Sequence, residues 1–365
     1  MQIGVPAEKM PGEARVALVP DMVKKLVGKG FDVVIEAGAG EAAHFHDPQY
    51  ADAGARLDSR EAAFAADIMI KVRRPDAEDA AAIQPGSVLI SLMESCGEDE
   101  LADALLQKGV RILAMERIPR ISRAQSMDAL SSQSNIAGYR AVIEAAAHYG
   151  RFVPLMMTSA GSAKPARVVV LGAGVAGLQA IATARRLGAD VYAYDVRPET
   201  REQIESLGAK AIELDIGESG AGEGGYAKEL SEEARQRQQE LLGDELARAH
   251  VIITTALIPC RPAPPLIPAS VVKRMREGSV IVDLAAPTGG NCELTELDQV
   301  VIREGVIIVG HGNFPSMLAS DASSFYAQNI FNLLQIMVEP GEGGLVLKDF
   351  DADEITQAAL VRAED

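Results

Sequence analysis

The sequence predicts an α/β chain of two domains, each built on a parallel sheet. Three observations carry that prediction. Short apolar runs alternate with helix-like stretches at the spacing of βαβ units along most of the chain. One of these units carries Gly172, Gly174 and Gly177 between its strand and its helix, in the spacing G-x-G-x-x-G. The length of 365 residues exceeds what one ordinary core encloses and argues for two.

Composition narrows the function classes. Apolar residues make up 48% and Trp is absent, so the chain is globular with a core of Val, Leu, Ile, Ala and Met. The net charge is −17, from 35 basic and 52 acidic residues, which speaks against nucleic acid or an anionic membrane surface as a partner. No apolar run approaches the roughly 18 residues of a membrane span, so no direct membrane insertion is expected. The opening Met1-Gln-Ile-Gly-Val5 lacks the basic and apolar regions of a signal peptide. Cys96, Cys260 and Cys292 are widely spaced and the histidines are scattered, so no metal-ligand pattern arises and no metal is expected.

In chain order, residues 3–6 read as a first strand, followed by a polar loop closed by Pro20. Asp21 is placed to cap a helix whose apolar face holds Met22, Val23, Leu26 and Val27, ended by Gly30. Further strands are expected at 32–36, 68–72, 88–92 and 110–115, with helices at 59–66 and 98–108. Residues 117–140 are dense in Ser, Gln and Arg. So many polar hydrogen-bonding groups next to a nucleotide-binding unit read as a functional loop, followed by a connecting helix at 137–149. Residues 152–170, with adjacent Met156 and Met157, read as a hairpin and contact surface.

The strand at 168–171 then enters the glycine turn. Gly172 permits the tight turn, Gly174 lets the backbone approach a pyrophosphate, and Gly177 lets helix and strand pack closely. The free amides and dipole of the helix start attract phosphate. A helix is expected at 178–187 and a second strand at 190–194. Asp195 at its end stands close to the offset of about 20 residues at which an acid bonds a ribose 2′-hydroxyl, which favours NAD(H); Arg197 nearby could instead accommodate a 2′-phosphate. Beyond it lie a helix at 201–207, a strand at 211–214, a glycine-rich flexible stretch at 217–225, a charged helix at 227–247, and strands at 251–255, 280–284 and 306–309. The tail, with a helix at 323–337, is expected to return to the first domain. The division is thus 1–127 with 311–365, and 128–310.

Pro6, Pro11-Gly-Glu13, Arg15-Val-Ala17, Pro20, Lys71-Val72 and the glycine turn together resemble one family. It unites alanine dehydrogenase with the NAD-binding alpha subunit of proton-translocating NAD(P) transhydrogenase. Residues 120–140, 224–228 and 254–259 resemble the transhydrogenase more. The resemblance implies two Rossmann-like domains joined by long helices, with a cleft between them. It implies an oxidoreductase that binds NAD(H) and passes hydride from NADH to NADP+ held on a partner subunit, while membrane-spanning partners translocate protons. A homodimer formed through 152–170, and a cytoplasmic chain held peripherally at the inner membrane by its partners, are implied too.

Residue by residue, the resemblance gives Arg120, Gln125, Asp128 and Ser131 the nicotinamide and its ribose, with Gln125 nearest the NADP(H). Gly172, Gly174, Val175, Ala176 and Gly177 form the phosphate turn. Asp195, Val196 and Arg197 match the adenosine-ribose stretch, Gly225 and Tyr226 a mobile closing loop, and Leu257 the adenine side. The alternative is an amino-acid dehydrogenase of the alanine dehydrogenase type, holding a carboxylate on Arg15 and Lys71. Those enzymes carry a catalytic His after the strand at 88–92, where this chain has Met93-Glu-Ser95. They also carry an Asp in the loop after 280–284, where this chain has Pro287. Hydride transfer between two nicotinamides needs neither acid nor base, only close alignment.

Overall fold

The computed structural model describes residues 1–97, 99–215, 217 and 231–362. The chain forms two compact units, Met1–Gln133 with Pro315–Asp365, and Ser134–Phe314. Both are doubly wound α/β layers.

The first unit has six strands: β1 (Gln2–Val5), β2 (Asp32–Glu36), β3 (Arg56–Asp58), β4 (Ile68–Arg73), β5 (Val88–Leu92) and β6 (Arg111–Ala114). They lie in the order β3-β2-β1-β4-β5-β6, every neighbouring pair parallel. β4 and β5 are continuous apolar runs because both of their faces are covered. Ile3, Ile35, Ile68 and Ile90 pack with Leu26 and with Ile330 and Leu334 of the tail helix Ala319–Met337. Met69, Leu89 and Ile112 pack on the other side with Phe64 and Leu105. The strand order reverses between β1 and β4, so the loops at their carboxyl ends part and leave a crevice position there.

Asp21 does not cap the first helix. Helix Pro20–Gly28 begins with proline, whose fixed φ and missing N–H suit the first position, and Val19 precedes it without a side-chain bond. Asp21 lies in the first turn, where its charge favours the positive helix end.

The second unit contains a small hairpin, β7 (Met156–Thr158) with β8 (Gly161–Ala163). Its main sheet comprises β9 (Arg167–Leu171), β10 (Asp190–Tyr194), β11 (Lys210–Ala211), β12 (Val251–Thr254), β13 (Val280–Asp283), β14 (Val300–Arg303) and β15 (Val306–Val309). The order is β11-β10-β9-β12-β13-β15-β14, parallel except for β14. The reversal falls between β9 and β12. Residues from Arg167 onward belong to this sheet, so the hairpin is narrower than the sequence indicates. In the tail, β16 (Val338–Gly341) pairs with β17 (Gly344–Leu347).

Helix Ala129–His148 starts well before residue 137. Asp128 caps it: its Oδ1 accepts the Ser131 amide at 2.8 Å and its Oδ2 the Ser131 hydroxyl at 2.6 Å. Among the described residues no helix is long and apolar enough to cross a membrane.

Candidate functional site

At the reversal of the second sheet, β9 runs into the glycine turn. Gly172 has φ of 93°, a conformation side chains avoid. Gly174 precedes helix Val175–Arg186, and no side chain caps the helix's first amides. A Cβ on Gly177 would sit 1.8 Å from the Gly172 carbonyl oxygen, so glycine is the only residue that closes this turn. Gly174 is different: a Cβ there meets nothing within 4 Å. The fold itself does not demand that glycine, whereas a group approaching the turn from outside would. Val175 is 36% exposed at the helix start. The uncapped amides, the open space at Gly174 and the dipole behind them fit a pyrophosphate.

Two supports of this turn escaped the sequence reading. Gly138 lies inside helix Ala129–His148, and a Cβ there would come 2.0 Å from the Ala176 carbonyl oxygen. Its signal was a glycine in a helix interior, which marks close backbone approach. Thr255, just after β12, donates its hydroxyl to the carbonyls of Leu171 at 3.1 Å and Gly172 at 3.3 Å.

Asp195 follows β10 and is nearly buried. Its carboxylate accepts the Ala173 amide at 2.6 Å, the Arg197 amide at 2.9 Å, and the Arg197 Nε and Nη2 at 2.9 and 2.8 Å. The carboxylate is thereby tied to the glycine turn, and the guanidinium turns back onto it. Hydrogen bonding to Asp195 holds the Arg197 pKa above its usual value against burial. Val196 packs against the apolar cluster under the sheet. Leu257 is 42% exposed. The loop bearing it is fixed from below by fully buried Asn291, which donates to the carbonyls of Ala256 and Pro264 and accepts the Ala256 amide. Pro287 lies in the short turn Ala286–Thr288. That loop is anchored by buried Asp283, which accepts from the amides of Ala285 and Cys292 and the Thr295 hydroxyl. Gly225 and Tyr226 lie outside the described residues.

In the first unit, the polar segment forms the 3-10 stretch Ser122–Met127 and then the long helix. Ala124 and Met127 are buried, which leaves Gln125 exposed between them. Arg120 is exposed on the approach. Asp128 and Ser131 are half-buried and bonded to each other as described. The first unit thus brings Gln125, Asp128 and Ser131 together on one short segment.

The reversal of the first sheet, between β1 and β4, holds a buried ion network. Arg15 is 3% and Lys71 1% exposed. Arg15 Nε and Nη2 donate to the two Glu13 oxygens at 2.7 and 2.6 Å, and its Nη1 donates to Gln133 at 2.8 Å. Lys71 Nζ stands 3.2 Å from both Glu8 Oε2 and Asp79 Oδ2. Arg73 adds a bond to Glu13 at 3.0 Å. Burial pushes the Glu13 carboxyl up, but its bonds to Arg15 and attraction to Arg15 and Arg73 outweigh this and hold it at about 2. For Glu8, burial prevails over Lys71 and raises the pKa. After β5, Glu94 has φ of 53°, and the amides of Met93 and Glu94 donate to the Glu116 carboxylate. No histidine stands in that turn.

Comparison with known proteins places these features. The family model described as alanine dehydrogenase/PNT, N-terminal domain, matches residues 4–137, and the corresponding C-terminal domain model matches 141–364. The chain is 50% identical over 357 residues to a Rhodospirillum rubrum protein named as NAD(P) transhydrogenase subunit alpha, covering 95% of this chain and 93% of that protein. The crystal structure of transhydrogenase from Sinorhizobium meliloti superposes with a TM-score of 0.89 at 45% identity, covering 99% of this chain and 98% of that one. A structure of L-alanine dehydrogenase superposes with a TM-score of 0.81 at 29% identity, covering 100% of this chain and 96% of that one.

Proposed function

The chain belongs to the alanine dehydrogenase/PNT family, and from that premise we propose that it is the NAD(H)-binding catalytic subunit of a proton-translocating NAD(P) transhydrogenase. The observation that carries this reading over amino-acid oxidation is the turn after β5. Oxidising an amino acid needs a base poised near neutrality, and the turn presents Met93 and Glu94 with their amides committed to Glu116. The identity to a protein named as transhydrogenase subunit alpha is also far above that to the L-alanine dehydrogenase structure. Arg15 and Lys71, which would hold a substrate carboxylate, are each paired with carboxylates of the chain.

In this reading the first amides of helix Val175–Arg186, with Gly172, Gly174, Ala176 and Gly177, take the pyrophosphate. Asp195 takes the adenosine ribose, flanked by Val196 and Arg197, and Leu257 covers the adenine. Gly225 and Tyr226 close over the nucleotide. Arg120, Asp128 and Ser131 hold the nicotinamide and its ribose, and Gln125 faces the NADP(H) of the partner subunit. NADH bound here supplies a hydride from its reduced ring, which NADP+ on the partner accepts with no proton exchanged. The protein's contribution is alignment and exclusion of water. The division at 1–127 with 311–365 and at 128–310 is the functional one. Homodimerisation through the β7–β8 hairpin, membrane-spanning partners that move the protons, and a cytoplasmic position at the inner membrane complete the proposal.

The test is reconstitution with an NADP(H)-binding partner subunit and an NAD+ analogue whose reduced form absorbs at a separate wavelength. Hydride transfer should appear only with both subunits present, and Gln125→Asn should slow it far more than it weakens NADH binding. Steady NADH formation by the chain alone from NAD+ and L-alanine would overturn the proposal.

A further inference from the structure

Gln125 occupies an exposed site on six residues of 3-10 helix, a conformation with poor hydrogen-bond geometry. Its inward neighbours are a small Ala124 and a flexible Met127. Neither fixes the rotation of the segment closely. Hydride transfer, however, tolerates little error: a displacement of about 1 Å can cost on the order of 100-fold in rate. Some other contact must set where Gln125 points.

The tail helix Ala319–Met337 supplies it. Asn329 Nδ2 and Asn332 Nδ2 both donate to the Ser126 carbonyl, each at 2.9 Å. Three positions apart, they lie on one helix face. The two donors use both lone pairs of that oxygen and so fix the peptide plane next to Gln125. Neither amide is free to turn. Asn329 Oδ1 accepts the Ser132 hydroxyl at 2.7 Å, and Asn332 Oδ1 accepts Gln328 Nε2 at 3.0 Å. On the other side of Gln125, Arg123 is bidentate to Asp353 at 2.7 and 2.8 Å. Residues more than 200 positions away in sequence therefore grip the segment on both sides of Gln125, directly against Ser126 and Arg123.

We infer that Asn329 and Asn332 are positioning residues for hydride transfer, acting through the Ser126 carbonyl on the placement of Gln125. This rests on the function proposed above. Asn332 is the better probe, since it is half-exposed and its loss leaves Asn329 and Ser132 bonded. In the reconstituted system, Asn332→Ala should lower the transfer rate about tenfold while NADH affinity stays within about twofold and the thermal midpoint barely moves. In a Gln125→Asn background the same change should have little further effect, because both act through one group. Asn332→Gln, which keeps a donor, should recover part of the rate. An unchanged rate in Asn332→Ala beside an active wild type overturns this inference alone, as does a fall in NADH affinity that matches the fall in rate. A wild type inert with its partner overturns the functional proposal and this inference together.

Discussion

The two sheets reverse strand order in the same way and put opposite things at the reversal. Between β9 and β12 the chain leaves backbone: a glycine turn, uncapped helix amides and open space beside Gly174. Between β1 and β4 it places charged side chains and pairs them with one another: Arg15 with Glu13, Lys71 with Glu8 and Asp79. The cause lies in the segment after the first strand of each sheet's reversal. β9 feeds a helix within a few residues, so the helix amides face the crevice. β1 leads into a long loop before helix Pro20–Gly28, and that loop carries Glu8, Glu13 and Arg15 into the space. One topology therefore yields a place for a ligand and a place already filled, and the loop decides which.

The change expected to act most strongly on this contrast is Arg15→Met. It strands buried Glu13 with only Arg73 and should cost roughly 3 kcal/mol of stability in urea unfolding, with NADH binding by the folded fraction unchanged. A neutral or stabilising result would mean the first reversal is not held by its ion pairs. Gly174→Ala addresses the other side. It should leave unfolding within about 0.5 kcal/mol of wild type, as a surface substitution without clash does, yet weaken NADH binding about tenfold by obstructing the turn. Equal affinity in calorimetric titration would show that the open space at Gly174 has no bearing on the ligand. The smallest effect is a pH dependence. Glu13 titrates at about 2 in the folded chain against 4.5 ordinarily. Its depressed value means the stability it adds is whole above 4.5 and is lost as pH falls from there through 2. Glu13→Gln should flatten that part of the stability curve, and a slope that persists unaltered would assign it to other carboxylates.

The fold was legible where apolar runs end abruptly. β5, β10 and β15 were read to the residue because Val88–Leu92, Asp190–Tyr194 and Val306–Val309 are bounded by turn residues. β3 and β11 were blurred or missed because two or three residues carry no periodicity. The start of helix Ala129–His148 was hidden by Ser131, Ser132, Gln133, Ser134 and Asn135, a polar run that reads as loop. Tertiary bonds from Ser132 to Asn329 and from Gln133 to the Ala322 carbonyl override that preference. At the candidate site, the glycine turn and Asp195 stood in the local order of residues. The pairing of Lys71 with Glu8 and Asp79, and the grip of Asn332 on Ser126, join distant parts of the chain and leave no local trace.

The edge strand β14 has a consequence for the behaviour of the protein in solution. It ends the strand order of the second sheet, with Val300 42% and Ile302 66% exposed. An open edge with apolar side chains is a template for pairing with another molecule. At neutral pH a charge of −17 keeps molecules apart. That repulsion vanishes near the isoelectric point of about 4.8, above the pH at which Glu13 begins to lose its charge. On acidification, colloidal stability is therefore lost before conformational stability, and a folded protein is what precipitates first.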